Sequence, residues 1–226
     1  VASGIGRAGR GVRPYRRRRP GPALIVFGVL AVLALSVWGY AITNRADIDE
    51  AIRCEPAAKP PDGMTYTRLG HDGLDGVTPL PPDKVGVRVL NAGAARNQAA
   101  VTTEELRQLG FTAASEPAND PAYEKAEADC RGQIRFGTNG AAAARTLSLV
   151  EPCAELIRDE RQDASVDLAI GTRFGDVRPR TETLDILRHL REWSNSQGEA
   201  TGGEQSAGGA PDLDPALLRA ARDAHC

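Results

Sequence analysis

The sequence predicts an α/β (α+β) protein: a β-α-β-β-α-β two-layer sandwich, two helices on one face of a four-stranded sheet, with an N-terminal transmembrane helix and C-terminal helices. Three observations carry that expectation. Residues 85–114 read as strand, turn, helix and strand, residues 133–170 repeat the scheme, and residues 23–42 contain no charged side chain.

In the first half, Val85, Val87 and Val89 alternate with Gly86 and Arg88, the period-two pattern of a half-buried strand. Asn91 to Arg96 breaks it. Ala95, Ala99, Thr102, Leu106 and Leu109 then recur at helical spacing, Gly110 ends the helix in a left-handed conformation, and Phe111 to Ser115 begins a strand. In the second half Gln133 to Phe136 alternates, Gly137 and Thr138 turn, and Asn139 is placed to cap an alanine-rich helix. Ala143, Leu147, Val150, Ala154 and Ile157 extend its apolar face through Pro152, where a kink or break is expected. Val166, Leu168 and Ile170 form the last strand.

Thr181 to Asn195 predicts a further helix, residues 196–210 a flexible linker, and Asp214-Pro215 the start of a final helix towards Cys226. The domain of residues 85–176 is thus followed by a helical extension at 177–226. Ahead of it, residues 43–84 are rich in Pro and Gly and read as an extended connector.

Residues 23–42 have the length of a membrane-spanning helix. Seven arginines and no acidic residue precede position 20, leaving 21 basic against 30 acidic groups beyond it. Positive flanks stay in the cytoplasm, so residues 1–22 read as a disordered cytoplasmic tail and everything after Thr43 as extracytoplasmic. The alternative of a cleaved signal peptide requires a shorter apolar core. This topology places the basic residues and the acidic globular part on opposite sides of the membrane, which excludes nucleic acid as a partner.

All four cysteines follow the apolar run, and an even number in an exported chain points to disulfides. Of the three pairings, Cys130–Cys153 and Cys54–Cys226 are favoured, although sequence alone does not fix the connectivity. No CxxC pair exists, and His71, His189 and His225 are scattered, so neither metal nor other cofactor is expected. No serine or cysteine lies in a nucleophile frame. Carboxylates are mostly interleaved with arginine, as in Arg158 to Asp163, and read as solvated faces. The chain is therefore expected not to be an enzyme.

Binding residues are sought instead at the two strand-to-helix turns. Asn91, Gly93, Arg96 and Asn97 line the first, and Thr138 and Asn139 the second, where free backbone N–H groups attract anions. Tight turns need the same residue types without any ligand. Arg173 beside Phe174 is read as an exposed aromatic-arginine pair that binds sugar or protein or, equally, closes the domain edge. Arg88, Gln133, Arg135 and Asp167 fall on the sheet face away from the helices, as a charged docking surface or a face that is solvated or covered by flanking segments.

VRVLNAGAARNQAAVTTEELRQLGF, followed by QIRFGTNGAAAARTLSLV and VDLAIGTRF, resembles the LytR C-terminal domain in the order and spacing of its motifs. The resemblance covers Val85 to Phe174. It implies a role in maintaining the actinobacterial cell envelope, through contact with wall glycopolymer or with the LytR-CpsA-Psr enzymes that attach such polymers. It brings no catalytic residue, because the catalytic pocket of those enzymes lies in a separate domain that residues 43–84 could not hold.

Overall fold

A computed structural model describes residues 21–199 and 211–226. The expectations for the tail before residue 21 and for residues 200–210 of the linker lie outside the described residues. The chain divides into two units, Val1–Asn44 and Arg45–Cys226. Helix α1 (Gly21–Ala51) covers the apolar run, and its large side chains from Ile25 to Tyr40 are 54 to 73% exposed. Among the described residues no helix is long and apolar enough to cross a membrane. Within the run, the described side chains are those of residues 25–40.

The second unit is a mixed α/β fold around a six-stranded sheet. Its strands are β1 (Thr67–Leu69), β2 (Val87–Asn91), β3 (Ala118–Asn119), β4 (Gly132–Phe136), β5 (Glu155–Arg158) and β6 (Val166–Ile170), in the order β1-β5-β4-β6-β2-β3. β2 runs parallel to β6 and β3, β4 parallel to β5 but antiparallel to β6, and β1 antiparallel to β5. Two expected elements differ. Phe111 to Ser115 is a turn, whose fully buried Phe111 fills the core while the Ser115 amide donates to the Val87 carbonyl at 2.9 Å. The second helix stops at Val150, and the residues expected to prolong it form β5. Pro152 has no N–H to continue the helix and its ring would clash with the turn before it, so the chain reverses there.

Helices α2 (Gln98–Gln108) and α3 (Ala141–Val150) both pack on the apolar sheet face, against Val87, Val89, Ile134, Phe136, Leu168 and Ile170. Gly110 ends the α2 segment at φ +101, as the sequence requires. Asn139 does not cap α3. Its Nδ2 donates to the Gln162 carbonyl at 2.7 Å, and Gly140 occupies the cap position. Helix α4 (Thr181–Glu199) reaches into the expected linker, and Ile186 and Leu190 pack on Leu149 with Ala221 of α5 (Pro215–Arg222). Asp214 caps α5 as expected, its carboxylate accepting from the Ala216 amide at 2.8 Å.

The disulfides overturn the favoured pairing. Cys54 bonds Cys130 and Cys153 bonds Cys226. The reason is the path of residues 52–70, which fold back over the helix-free face. Ile52 and Cys54 are buried, and Cys54 packs with Leu90, Ala92, Tyr123, Ala128 and Ala169 beside Cys130. Cys153, just past α3, faces the end of the chain.

Glu151 follows α3 and is 1% exposed, paired with the Arg131 guanidinium at 2.8 Å. Burial raises its carboxyl to about 7, more than Arg131 lowers it, and Glu105 and Asp176 add to the rise. The folded protein then holds a proton that the unfolded chain releases near its ordinary value. The resulting stabilisation is complete below about pH 4.5 and lost as pH rises through about 7, roughly 3 kcal/mol for this group. Urea unfolding of the wild type should show this decline, and Glu151→Gln should remove it. An unchanged slope in the variant would contradict the assignment.

Candidate functional site

Alternation along β4 sends Ile134 and Phe136 to the helices and Gln133 and Arg135 to the opposite face. Arg135 is 2% exposed, and its fork meets Asp120 at 2.9 and 2.7 Å. The Gln133 amide oxygen accepts from Arg135 at 3.1 and 2.7 Å, and the Gln133 amide nitrogen donates to Glu155 at 2.6 Å. Arg68 of β1 completes the chain at Glu155. The rings of Tyr66 and Tyr123 lie 5.4 and 5.7 Å from the Arg135 guanidinium. Burial opposes the charge of Arg135 more than any one group supports it, yet Asp120, with Tyr66 and Tyr123, together raise its pKa. Burial also pushes the Tyr123 hydroxyl up to about 12.

A second network lies beside the first. The Arg161 Nε donates to both oxygens of Asp159 at 3.0 and 2.9 Å, and its Nη2 to Asp167 at 2.7 Å; Arg88 meets Asp167 at 3.3 Å. Gly137 makes this approach possible, since a Cβ there would lie 1.9 Å from the Arg161 carbonyl. Burial works against the Arg161 charge, but Asp159 and Asp167 more than compensate and raise its pKa.

The two networks floor a groove of about 610 Å³. Met64, Tyr66, Ala113 and Ser115 also line it. The lining carries three arginines, Arg88, Arg135 and Arg161, and four aspartates, Asp120, Asp159, Asp163 and Asp167. Arg88, with half its side chain exposed, offers donors at the rim, whereas Arg135 is wholly committed to the floor.

Arg88, Gln133, Arg135 and Asp167 therefore share the helix-free face as expected, and that face is partly covered by flanking segments, with Gln133, Arg135 and Asp167 buried. The turn residues fare differently. β2 and β4 point in opposite directions, with Asn91 and Gly132 both registered on Ile170, so the two helix starts lie at opposite ends of the sheet. Asn91 donates to the Ala94 and Ala95 carbonyls at 3.2 and 3.3 Å and accepts from the Gly93 amide at 3.0 Å, which makes it a brace of its own turn. Gly93 and Asn97 take positive φ, and exposed Arg96 borders a shallow depression with Asn97. Thr138 is exposed at the far end. Phe174 is 9% exposed and belongs to the core beneath Arg131, so of its two expected roles it closes the domain edge and is not an exposed aromatic, while Arg173 pairs with Asp129 at 2.8 Å.

Sequence reasoning missed Tyr66, Asp120, Asp159 and Arg161. Asp120 had a local signal: an aspartate before Pro121, where it accepts from the Ala122 amide at 2.9 Å and caps a turn. Asp159 and Arg161 sat in the run taken for a solvated face. In the structure Asp159 is 6% exposed and turns inward.

A family model described as LytR cell envelope-related transcriptional attenuator, LytR_C, matches residues 84–174, the stretch that carries all seven charged groove residues from Arg88 to Asp167. Over 183 residues the chain is 42% identical to the cell envelope integrity protein Cei of Mycobacterium tuberculosis (strain ATCC 25618 / H37Rv), spanning 79% of this chain and 84% of that one. The chain belongs to the LytR_C family. The crystal structure of the soluble domain of a conserved hypothetical secreted protein from Mycobacterium marinum is similar in fold, with a TM-score of 0.58 and 37% identity over 71% of this chain and 97% of that one. These similarities support an envelope-associated role for this LytR_C protein.

Proposed function

We propose that this LytR_C protein is a membrane-anchored, non-catalytic binding module that maintains envelope integrity by holding wall glycan in the groove on the helix-free sheet face. The observation that carries the reading is the charge-matched floor of the groove between apolar lining residues such as Pro61, Met64 and Leu90. Every arginine in it is matched by an aspartate, so the floor carries little net charge, and the half-exposed Arg88 leaves donors at the rim of a groove that the aromatic Tyr66 also lines. Such a surface suits a neutral polyhydroxyl chain, whose hydroxyls donate and accept, better than a pyrophosphate. None of the three histidines lines the groove, and Ser165 is turned to Asp163. Helix α1, with its exposed apolar side chains, serves as the anchor, leaving the second unit outside the cytoplasmic membrane.

The test is titration of solubilised wall glycan into the full chain in a neutral detergent, with the glycan sized before and after. Saturable binding is expected, weakened about fivefold to tenfold by Arg88→Ala through loss of a charge-assisted contact, with the glycan intact. Absence of saturation would sink the reading. Shortened glycan, with cleavage lost in Asp163→Asn or Asp167→Asn, would replace it with an envelope hydrolase.

A further inference from the structure

A second concavity, of about 400 Å³, differs in kind from the groove: among the described residues its wall carries four arginines and a histidine and no acidic side chain. Arg131, Arg173, Arg178 and Arg180 come from the segments after Cys130 and after β6, and the Cys153–Cys226 disulfide ties the segment of His225 to that of Pro152, both of which line the cleft. Each guanidinium is steadied from outside the wall. Arg131 meets Glu151, Arg173 meets Asp129, Arg178 meets Asp176 at 2.7 Å, and Arg180 meets Glu182 at 3.4 Å. These contacts leave donors over. Arg173 uses Nε and Nη2, Arg178 uses Nε, and Arg180 uses Nε and Nη1, so among the described residues each keeps terminal N–H groups without a partner.

We propose that this cleft is an anion site that takes a phosphate ester group. Guanidinium forks match phosphate oxygens in pairs, and four of them in one wall, with no acidic side chain in the lining itself, supply the geometry and the free donors. The arginines are positioned in advance by their outer carboxylates, so little side-chain freedom is lost on binding. Ala51, the last residue of α1, also lines the cleft. Only a short stretch of chain separates it from the end of the apolar run, which makes an anionic lipid headgroup the favoured source of the phosphate. That choice of source rests on the anchor reading; the phosphate chemistry does not.

Arginine modification by phenylglyoxal tests the site, using the full chain in neutral detergent with peptide mass analysis as the readout. Phosphatidylglycerol, glycerol phosphate and phosphatidylcholine are added in separate arms, and Arg96 and Arg219, which lie elsewhere, serve as controls. Protection of Arg173, Arg178 and Arg180 by both phosphatidylglycerol and glycerol phosphate assigns the phosphate group itself, and protection by phosphatidylglycerol alone assigns the lipid headgroup. Arg178→Ala with Arg180→Ala should weaken the protecting ligand about tenfold or more, both side chains being exposed. No protection in either anionic arm, or equal protection of the controls, overturns the proposal. Flotation of the full chain with phosphatidylcholine vesicles reads the anchor separately, so failure of the cleft and failure of the anchor are told apart.

Discussion

Arg135→Ala is expected to destabilise the protein by about 3 to 5 kcal/mol, the largest effect of any single substitution in the groove. The side chain is 2% exposed and its partner Asp120 is 0% exposed, so truncation strands a carboxylate that water cannot reach. The Gln133 amide oxygen loses two bonds at the same time, and the rings of Tyr66 and Tyr123 lose the cation between them. Arg88→Ala, at a half-exposed pair with Asp167, should cost under about 1 kcal/mol. Urea unfolding of the two variants separates these values; similar losses would show that the Arg135 network is no more than a surface salt bridge. Replacing the pair together, as Arg135→Met with Asp120→Leu, should recover part of the stability, because desolvating two charges offsets much of what their attraction gives.

Removal of the Cys54–Cys130 disulfide is the second large effect. It joins residues 76 apart, and the chain-entropy relation assigns such a closure about 4.5 kcal/mol. The Cys153–Cys226 link spans 73 residues and is nearly equal in that respect. Their surroundings differ, however. Cys54 is fully buried beside Tyr123, and its bond holds the Pro-rich segment across the polar face, whereas Cys226 is exposed. Cys54→Ala with Cys130→Ala should therefore lower stability and weaken groove binding together. Cys153→Ala with Cys226→Ala should lower stability while leaving the groove's affinity unchanged. A non-reducing peptide map reads the pairing directly, and unchanged glycan affinity in the first variant would detach the disulfide from the site.

The strands that alternate cleanly, β2, β4 and β6, were legible because each divides apolar from polar side chains at period two. The α2 segment was legible because Ala99, Thr102 and Leu106 share a face and Gly110 stops it. What stayed hidden depended on contacts distant in sequence. Glu155 to Arg158 continues the α3 period by coincidence, and only the break at Pro152 tells strand from helix. Thr67 to Leu69 becomes a strand because Arg158 to Leu156 is there to pair with it. The groove was half visible for the same reason: its floor comes from alternating strands, while Tyr66, Asp120, Asp159 and Arg161 come from loops whose burial no local pattern reports. Cysteine pairing was misjudged because the path of residues 52–70 over the sheet leaves no periodic trace.

The claim that the helix-free groove is where the protein meets the wall is tested most directly by a photoreactive residue placed at Ser115, on the groove wall, in the full chain in cells. The same residue at Arg219, on α5, provides the comparison. Saccharide adducts are expected at position 115, absent from position 219 and lost when Arg88 is also changed to alanine. Equal labelling at both positions, or adducts at 115 that contain no saccharide, would contradict it.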